Sequence, residues 1–372
     1  MNIGIDARVL EKKMTGIGRF LLDLLKHIPE VDARNQYFLF TYGATAFRME
    51  RALSVPTGPH VMASKLYSPF WLLRVLPKYL SEYHIDILFS PNFLAPLKRT
   101  GDHWKSVPVV CDTFPKIGTK YLPTAYGMYQ DMLVRHSMER SNAIVTISQH
   151  SKKDIVRYYG IDPEKIHVIY PTADARFTAH QVDPARRKEV EERFGLPEQF
   201  ILCVGVVEVR KNVLGLTRIA DILKKRGVRA AIVLIGGPGF GFKKIIREVR
   251  MRQNLLYLSH VGEEYLPDIY RLASAFVFPS YYEGFGIPPL EAMQSGTPVV
   301  TSNTSSLPEV VGKAGAMFDP DDADGFAEEI ARLLEDRRYH QVRSENGIAQ
   351  ARKFNARDSS STLVQLFSLV NS

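Results

Sequence analysis

Short runs of β-branched and aromatic residues alternate along this chain with longer stretches whose apolar positions recur at helical spacing. An apolar run at residues 2–7 precedes a helical pattern from about residue 18 to 27, and a second run follows at 37–42. Further strands are predicted at 85–90, 107–111 and 143–148, each ending in small or polar residues. Parallel strands need a crossover of about a dozen residues or more, usually a helix, so the alternation predicts parallel sheets built of βαβ units. In such sheets ligands collect beyond the carboxyl ends of the strands, which is where those small and polar residues fall. A second series begins at 200–206 and continues at 230–235, 256–260, 275–279, 298–302 and 316–318, predicting a second sheet. The segment 170–197 between the two series carries three prolines, a charged stretch and a weak helical pattern, and the domain boundary falls near residue 175.

Length agrees with two domains, since the chain has 372 residues and single cores stop growing beyond roughly 250–300. Hydrophobic residues at 45% and charged residues at 24% exclude disordered and fibrous classes. Apolar stretches such as 200–207 fall far short of the roughly 20 residues of a membrane-spanning helix. Asp6 sets a carboxylate inside the first apolar run, unlike a secretory signal. The two cysteines, Cys111 and Cys203, suit a reducing compartment and supply no disulfide or zinc framework, so the expected location is cytoplasmic. The net charge of +8 favours anionic partners such as nucleotides and phospholipid head groups. Its clusters, among them Arg186-Arg187-Lys188, Lys224-Lys225-Arg226 and Lys243-Lys244, carry no nucleic-acid motif, and no nucleic acid is expected as partner.

The segment Pro279-Ser280-Tyr281-Tyr282-Glu283-Gly284-Phe285-Gly286-Ile287-Pro288-Pro289-Leu290-Glu291 has the grammar of strand, glycine loop and helix. The paired prolines suit a first helical turn, where a missing amide hydrogen costs nothing, and Gly296 suits the C-terminal cap. Gly284 and Gly286 let the backbone approach a ligand, and free amides around Phe285 and Ile287 can bind phosphate or sugar oxygens. Glu283 in the loop and Glu291 on the helix can each accept hydrogen bonds from neighbouring hydroxyls.

With this pair of glutamates the chain resembles glycosyltransferase family 4, whose signature has the same spacing. The likeness continues through Gly262, Leu266 and residues 270–275, then Gly296-Thr297-Pro298-Val299-Val300 and Pro308-Glu309-Val310-Val311-Gly312. It implies a GT-B architecture of two Rossmann-like, doubly wound parallel-sheet domains facing a central cleft. Residues 1–175 with a C-terminal helix at about 358–372 would bind the acceptor, and residues 176–357 the nucleotide-sugar donor. It further implies a retaining hexosyltransferase in which Glu283 faces the sugar and Glu291 the ribose diol. Arg210 and Lys211, after the apolar run 200–207, would hold the diphosphate in place of a metal, so no metal or other cofactor is expected. Cations at a helix start oppose the macrodipole and need such a reason.

Gly16 and Gly18, in Thr15-Gly16-Ile17-Gly18-Arg19, resemble the family's glycine-containing loop near the diphosphate. The segment 108–115 departs from the family: Cys111 stands before Asp112 where many relatives have histidine, and Asp112 is either catalytic or a structural cap. Ser90-Pro91-Asn92-Phe93 and residues 146–151 also resemble family stretches that line the cleft on the first domain, and Ser148 or Ser151 reads alternatively as a helix cap. The run 319–325 resembles a calcium loop but lacks its glutamate at position twelve and reads as a helix start. Residues 66–83 interleave Phe70, Trp71, Leu72 and Leu73 with Lys65, Arg74 and Lys78, a pattern that fits either a core-facing helix or peripheral contact with an anionic membrane at the inner face of the cytoplasmic membrane. The overall pattern looks like bacterial mannosyltransferases of polysaccharide and lipopolysaccharide assembly, with GDP-mannose as donor and a glycan or lipid-linked saccharide as acceptor. The alternatives are a UDP-sugar or deoxyhexose donor, a nucleotide-sugar-binding protein without turnover, and an NAD-dependent oxidoreductase.

Overall fold

A computed structural model describes residues 1–11, 15–43, 47–58, 70–96, 102–113, 116 and 124–372, with backbone alone over 124–130. The chain divides into two compact units, Met1–Thr172 with Asn355–Ser372, and Ala173–Phe354. Where the sequence sets the divisions near 175 and 357, the structure sets them at 172 and 354.

The first unit holds β1 (Asn2–Asp6), β2 (Gln36–Thr41), β3 (Ala52–Pro56), β4 (Ile87–Ser90) and β5 (Lys105–Pro108). They pair in parallel in the order β3-β2-β1-β4-β5. A bridge from Val109 to Val145 adds the parallel pair β6 (Ile144–Thr146) and β7 (Ile166–Val168). The period of two sorts these strands between two cores. Ile3, Ile5, Leu39, Ile87, Phe89 and Val107 face the helix Gly16–Val31, and Phe38, Phe40 and Leu88 face Trp71, Leu76 and Leu80. Gly4 lies on the second face, where an added Cβ would stand 2.9 Å from the Phe40 ring. The C-terminal helix Ala356–Asn371 belongs to this unit: Phe367 meets Phe89 edge-on, and Ser360 donates to the Leu24 carbonyl at 3.0 Å.

Lys65 and residues 66–69 of the membrane-contact reading lie outside the described residues. Of the remainder, Trp71, Leu72, Leu76 and Leu80 are buried while Phe70 and Leu73 are 55% and 40% exposed, so most of that apolar pattern is core. No described helix is long and apolar enough to cross a membrane.

The second unit is a six-stranded parallel sheet, β10-β9-β8-β11-β12-β13, formed by β8 (Phe200–Val204), β9 (Ala231–Ile235), β10 (Leu255–Leu258), β11 (Ala275–Phe278), β12 (Val299–Ser302) and β13 (Ala316–Phe318). The strand order reverses between β1 and β4 in the first sheet and between β8 and β11 in the second, and the loops leaving such a point open a crevice for a ligand.

Candidate functional site: the switch point of the second sheet

Two loops leave the second switch point side by side. After β8 comes a short 3-10 turn, Val209–Lys211, and then Asn212 in the left-handed region with φ of 51°. Asn212 caps the helix Val213–Lys225: its Oδ1 accepts from the Gly215 amide at 3.0 Å and its Nδ2 donates to the Pro320 carbonyl at 2.6 Å. Asparagine tolerates that backbone better than most residues. Arg210 and Lys211 therefore sit in the turn before the helix, where the sequence reading sets them, with Asn212 between them and the first helical residue.

After β11 the chain runs through Glu283 to Gly286, whose φ of 130° favours glycine, and into the helix Ile287–Gln294. An added Cβ at Gly286 would come within 3.0 Å of Leu307. The Glu283 amide donates to Ser305 Oγ at 2.9 Å, and Ser306 Oγ donates to the Glu283 carbonyl at 2.9 Å, which fixes the loop. Phe285 is buried with its ring edge-on to Phe354, and Gly284 and Ile287 flank this turn.

These loops bring together residues some seventy positions apart. Lys211 Nζ donates to Glu283 Oε1 at 2.6 Å and Arg210 Nη1 to Glu283 Oε2 at 3.2 Å. The other edge of the Arg210 guanidinium grips Glu208 Oε1 at 2.6 and 3.0 Å, and Nη1 also reaches the Tyr282 carbonyl at 2.8 Å. Lys211 Nζ lies 4.9 Å from the centre of the Phe278 ring. Burial pushes the Glu283 carboxyl up, but Lys211 and Arg210 outweigh it and hold the group below the usual carboxylate range. The result is a nearly dry cluster of two cations and two carboxylates at the mouth of the sheet. Glu208 is a member that the sequence reading missed, although its position two residues before Arg210 was a signal.

Glu291, on the second turn of its helix, is 5% exposed. Tyr270 donates its hydroxyl to Glu291 Oε2 at 2.9 Å. That tyrosine is itself locked, edge-on to Phe177, stacked on Phe276, and accepting at its carbonyl from Thr297 Oγ1 at 2.6 Å. Tyr270 thus fixes one oxygen of the carboxylate. Tyr270→Phe keeps the ring and removes the proton, so, on the ribose role that the family resemblance implies for Glu291, nucleotide affinity is expected to fall about tenfold, about 1.4 kcal/mol, while kcat at saturating donor stays within about twofold. Calorimetry with the nucleoside diphosphate and a donor titration of turnover check this, and equal loss in both parameters contradicts it.

In the first unit, Gly16 and Gly18 form the first turn of the helix Gly16–Val31, with the Gly18 amide donating to Thr15 Oγ1 at 3.2 Å, which corrects the loop the sequence suggested. Asp112 follows β5, partly buried, next to Cys111. Burial, then the Asp112 charge, pushes the Cys111 thiol well up, so it stays protonated. Phe114 and Pro115 lie outside the described residues. Ser148 caps the helix Gln149–Tyr159 by accepting from the Ser151 amide at 3.0 Å, so Ser151 is in the first turn and is not the cap, and Asp322 caps the helix Ala323–Glu335 by accepting from the Gly325 amide at 2.9 Å.

Comparison with known proteins identifies the family and the fold. Residues 185–350 match the family model of glycosyl transferases group 1, and residues 14–177 that of glycosyltransferase family 4. O-antigen chain mannosyltransferase B of Escherichia coli is 28% identical, with both chains covered in full. O-antigen chain mannosyltransferase RfbU of Salmonella typhimurium is also 28% identical, over 72% of this chain and 69% of its own. Among solved structures, sucrose-phosphate synthase of Thermosynechococcus elongatus superposes with a TM-score of 0.75 at 16% identity, covering 99% of this chain and 98% of that one. The Anabaena protein HepE, solved with UDP-glucose, gives 0.72 at 16% identity and 99% coverage of both. With two successive family models on its two units and this fold, the chain belongs to glycosyltransferase family 4 and is a glycosyltransferase of GT-B type.

Proposed function

We propose that the protein is a retaining, metal-independent mannosyltransferase that takes mannose from GDP-mannose and places it on a glycan or lipid-linked saccharide. The observation that carries the reading is the Arg210, Lys211 and Glu283 cluster at the switch point of the second sheet. A diphosphate leaving group gains negative charge as the glycosidic bond breaks, and cations already fixed in a nearly dry site stabilise that charge without reorganising. Glu283 then takes a sugar hydroxyl, Glu291 the ribose diol, and Gly284 to Ile287 the phosphate and sugar oxygens. The acceptor oxygen attacks the anomeric carbon on the face the nucleotide leaves, the bond from that carbon to the phosphate oxygen breaks, and the acceptor proton passes to the departing diphosphate. Configuration is kept and no enzymatic nucleophile is used. Gly16 and Gly18, in the first turn of their helix, serve the donor near its diphosphate, and Asp112, after β5, takes part in catalysis. Mannose and its O-antigen setting are supported by the two relatives named above. A UDP-sugar donor is the second reading, favoured by the HepE structure. In either case the protein works at the cytoplasmic face of the membrane, in peripheral contact with anionic lipid.

A thermal-shift panel decides the donor. GDP or GDP-mannose at about 100 times its Kd should add about 2.7 kcal/mol to stability, UDP and NAD should add nothing, and Glu291→Ala should abolish the shift. A shift with UDP alone transfers the reading to a UDP-sugar, and no shift with any nucleotide rejects the site.

A further inference from the structure

The helix Val213–Lys225 connects β8 to β9, and the helix Phe242–Arg250 connects β9 to β10. Both run back against parallel strands, so both end at the edge of the sheet where β9 and β10 begin. Two contacts tie their turns together: Arg252 Nη2 to Asp221 Oδ2 at 2.9 Å, and Asn254 Nδ2 to the Ala220 carbonyl at 2.7 Å. This edge gathers Lys224, Lys225, Arg226, Arg229, Arg247 and Arg250, all exposed. Over residues 221–252 nine lysines and arginines stand against two carboxylates, and without Lys243 and Lys244, which begin their helix at the other end, the edge keeps seven against two. Both carboxylates, Asp221 and Glu248, are paired with Arg252. At the turn between helix and strand Met251 is 73% exposed, more than any other described large apolar side chain.

We propose that this edge docks on an anionic lipid bilayer, with the cations at the head groups and Met251 in the interface. A concentrated positive field around one protruding apolar side chain fits a broad anionic surface with an apolar layer beneath it. The turns 224–229 and 247–252 hold no aromatic residue on which a nucleic-acid base could stack. Arg210, Lys211 and Glu283 follow the opposite ends of strands in the same sheet, so a docked unit keeps its nucleotide site clear of the lipid. The proposal places the membrane contact on the second unit, not on the segment around residue 70, and binding to lipid needs no donor, so it stands or falls apart from the nucleotide assignment.

The test is sedimentation of the full chain with vesicles of phosphatidylcholine alone or mixed with phosphatidylglycerol. The mixed vesicles should bind at least about tenfold more protein, and the difference should collapse as salt shortens the Debye length to about 3 Å near 1 M. Lys225→Glu/Arg226→Glu/Arg250→Glu should lose most of the binding, as should the independent pair Lys224→Glu/Arg229→Glu, both with an unchanged thermal midpoint and unchanged nucleotide affinity. Met251→Ser should lower binding to a lesser degree. Unchanged binding of both charge-reversal variants, loss only with Phe70→Ser/Leu73→Ser, or capture of the protein by RNA or an acidic protein in preference to the mixed vesicles would overturn the proposal.

Discussion

Replacing Lys211 by alanine is expected to lower kcat/KM for sugar transfer by at least about 10², a loss of about 2.7 kcal/mol or more, as when one preorganised donor to a developing oxyanion is removed. The same change leaves Glu283 buried with a single cation, 3.2 Å away. Removing one partner of a buried pair costs about 3–5 kcal/mol, so the folded state weakens as well, toward the lower end because Arg210 remains. The two effects separate in a double variant. Lys211→Met/Glu283→Gln removes both charges, recovers most of the stability and leaves transfer low. Denaturant unfolding and initial rates on the single and double variants measure this. Near-normal turnover of both Lys211→Ala and Arg210→Ala would remove the diphosphate role from this turn. Acid should reproduce part of the stability loss. The carboxyl of Glu283 titrates below its unfolded value, so its contribution is complete above the ordinary carboxylate range and fades as pH falls through the depressed value.

What the sequence made legible follows from local periodicity. Most strands at the two sheet centres, such as Phe200–Val204 and Ala275–Phe278, are apolar runs because both faces are covered, and the central strands were readable to within a few residues. Two strands escaped notice. β3 is an edge strand with Leu53 and Ser54 exposed and Pro56 at its end, so it has no run to detect. β7 has only three residues. The candidate site was legible as two separate loops, because glycines, prolines and charged residues punctuate the chain where strands end. Their pairing was not legible: Lys211 meets Glu283 only because β8 and β11 are neighbours across the reversal of strand order, a tertiary fact. The same holds for Tyr270 and Glu291, twenty-one residues apart, and for the basic edge, whose members look like scattered surface charge until two crossover helices end side by side.

Glu283→Gln is expected to do two opposite things, tightening inorganic diphosphate and nucleoside diphosphate while reducing sugar transfer by about 10² or more. Without a ligand the cluster is already balanced, since Glu283 and Glu208 neutralise Arg210 and Lys211. An incoming diphosphate competes with Glu283 for the same two cations, and like charges in a nearly dry site repel strongly. Making residue 283 neutral removes the competitor. A gain of about tenfold corresponds to about 1.4 kcal/mol, modest beside the interaction of unit charges a few ångströms apart. The intact donor gains nothing, because the glutamine loses the anionic acceptor for the sugar hydroxyl that charge-assisted bonding favours. Linkage gives a further arm. Diphosphate binding favours protonated Glu283, so affinity in the parent protein rises more steeply with falling pH than in Glu283→Gln, the ligand's own protonation being common to both. Calorimetry with GDP, UDP and diphosphate across that pH range measures the difference. Weaker diphosphate binding by the glutamine variant at neutral pH would show instead that Glu283 holds the cations in the geometry the diphosphate needs, and that its charge assists the anion rather than opposing it.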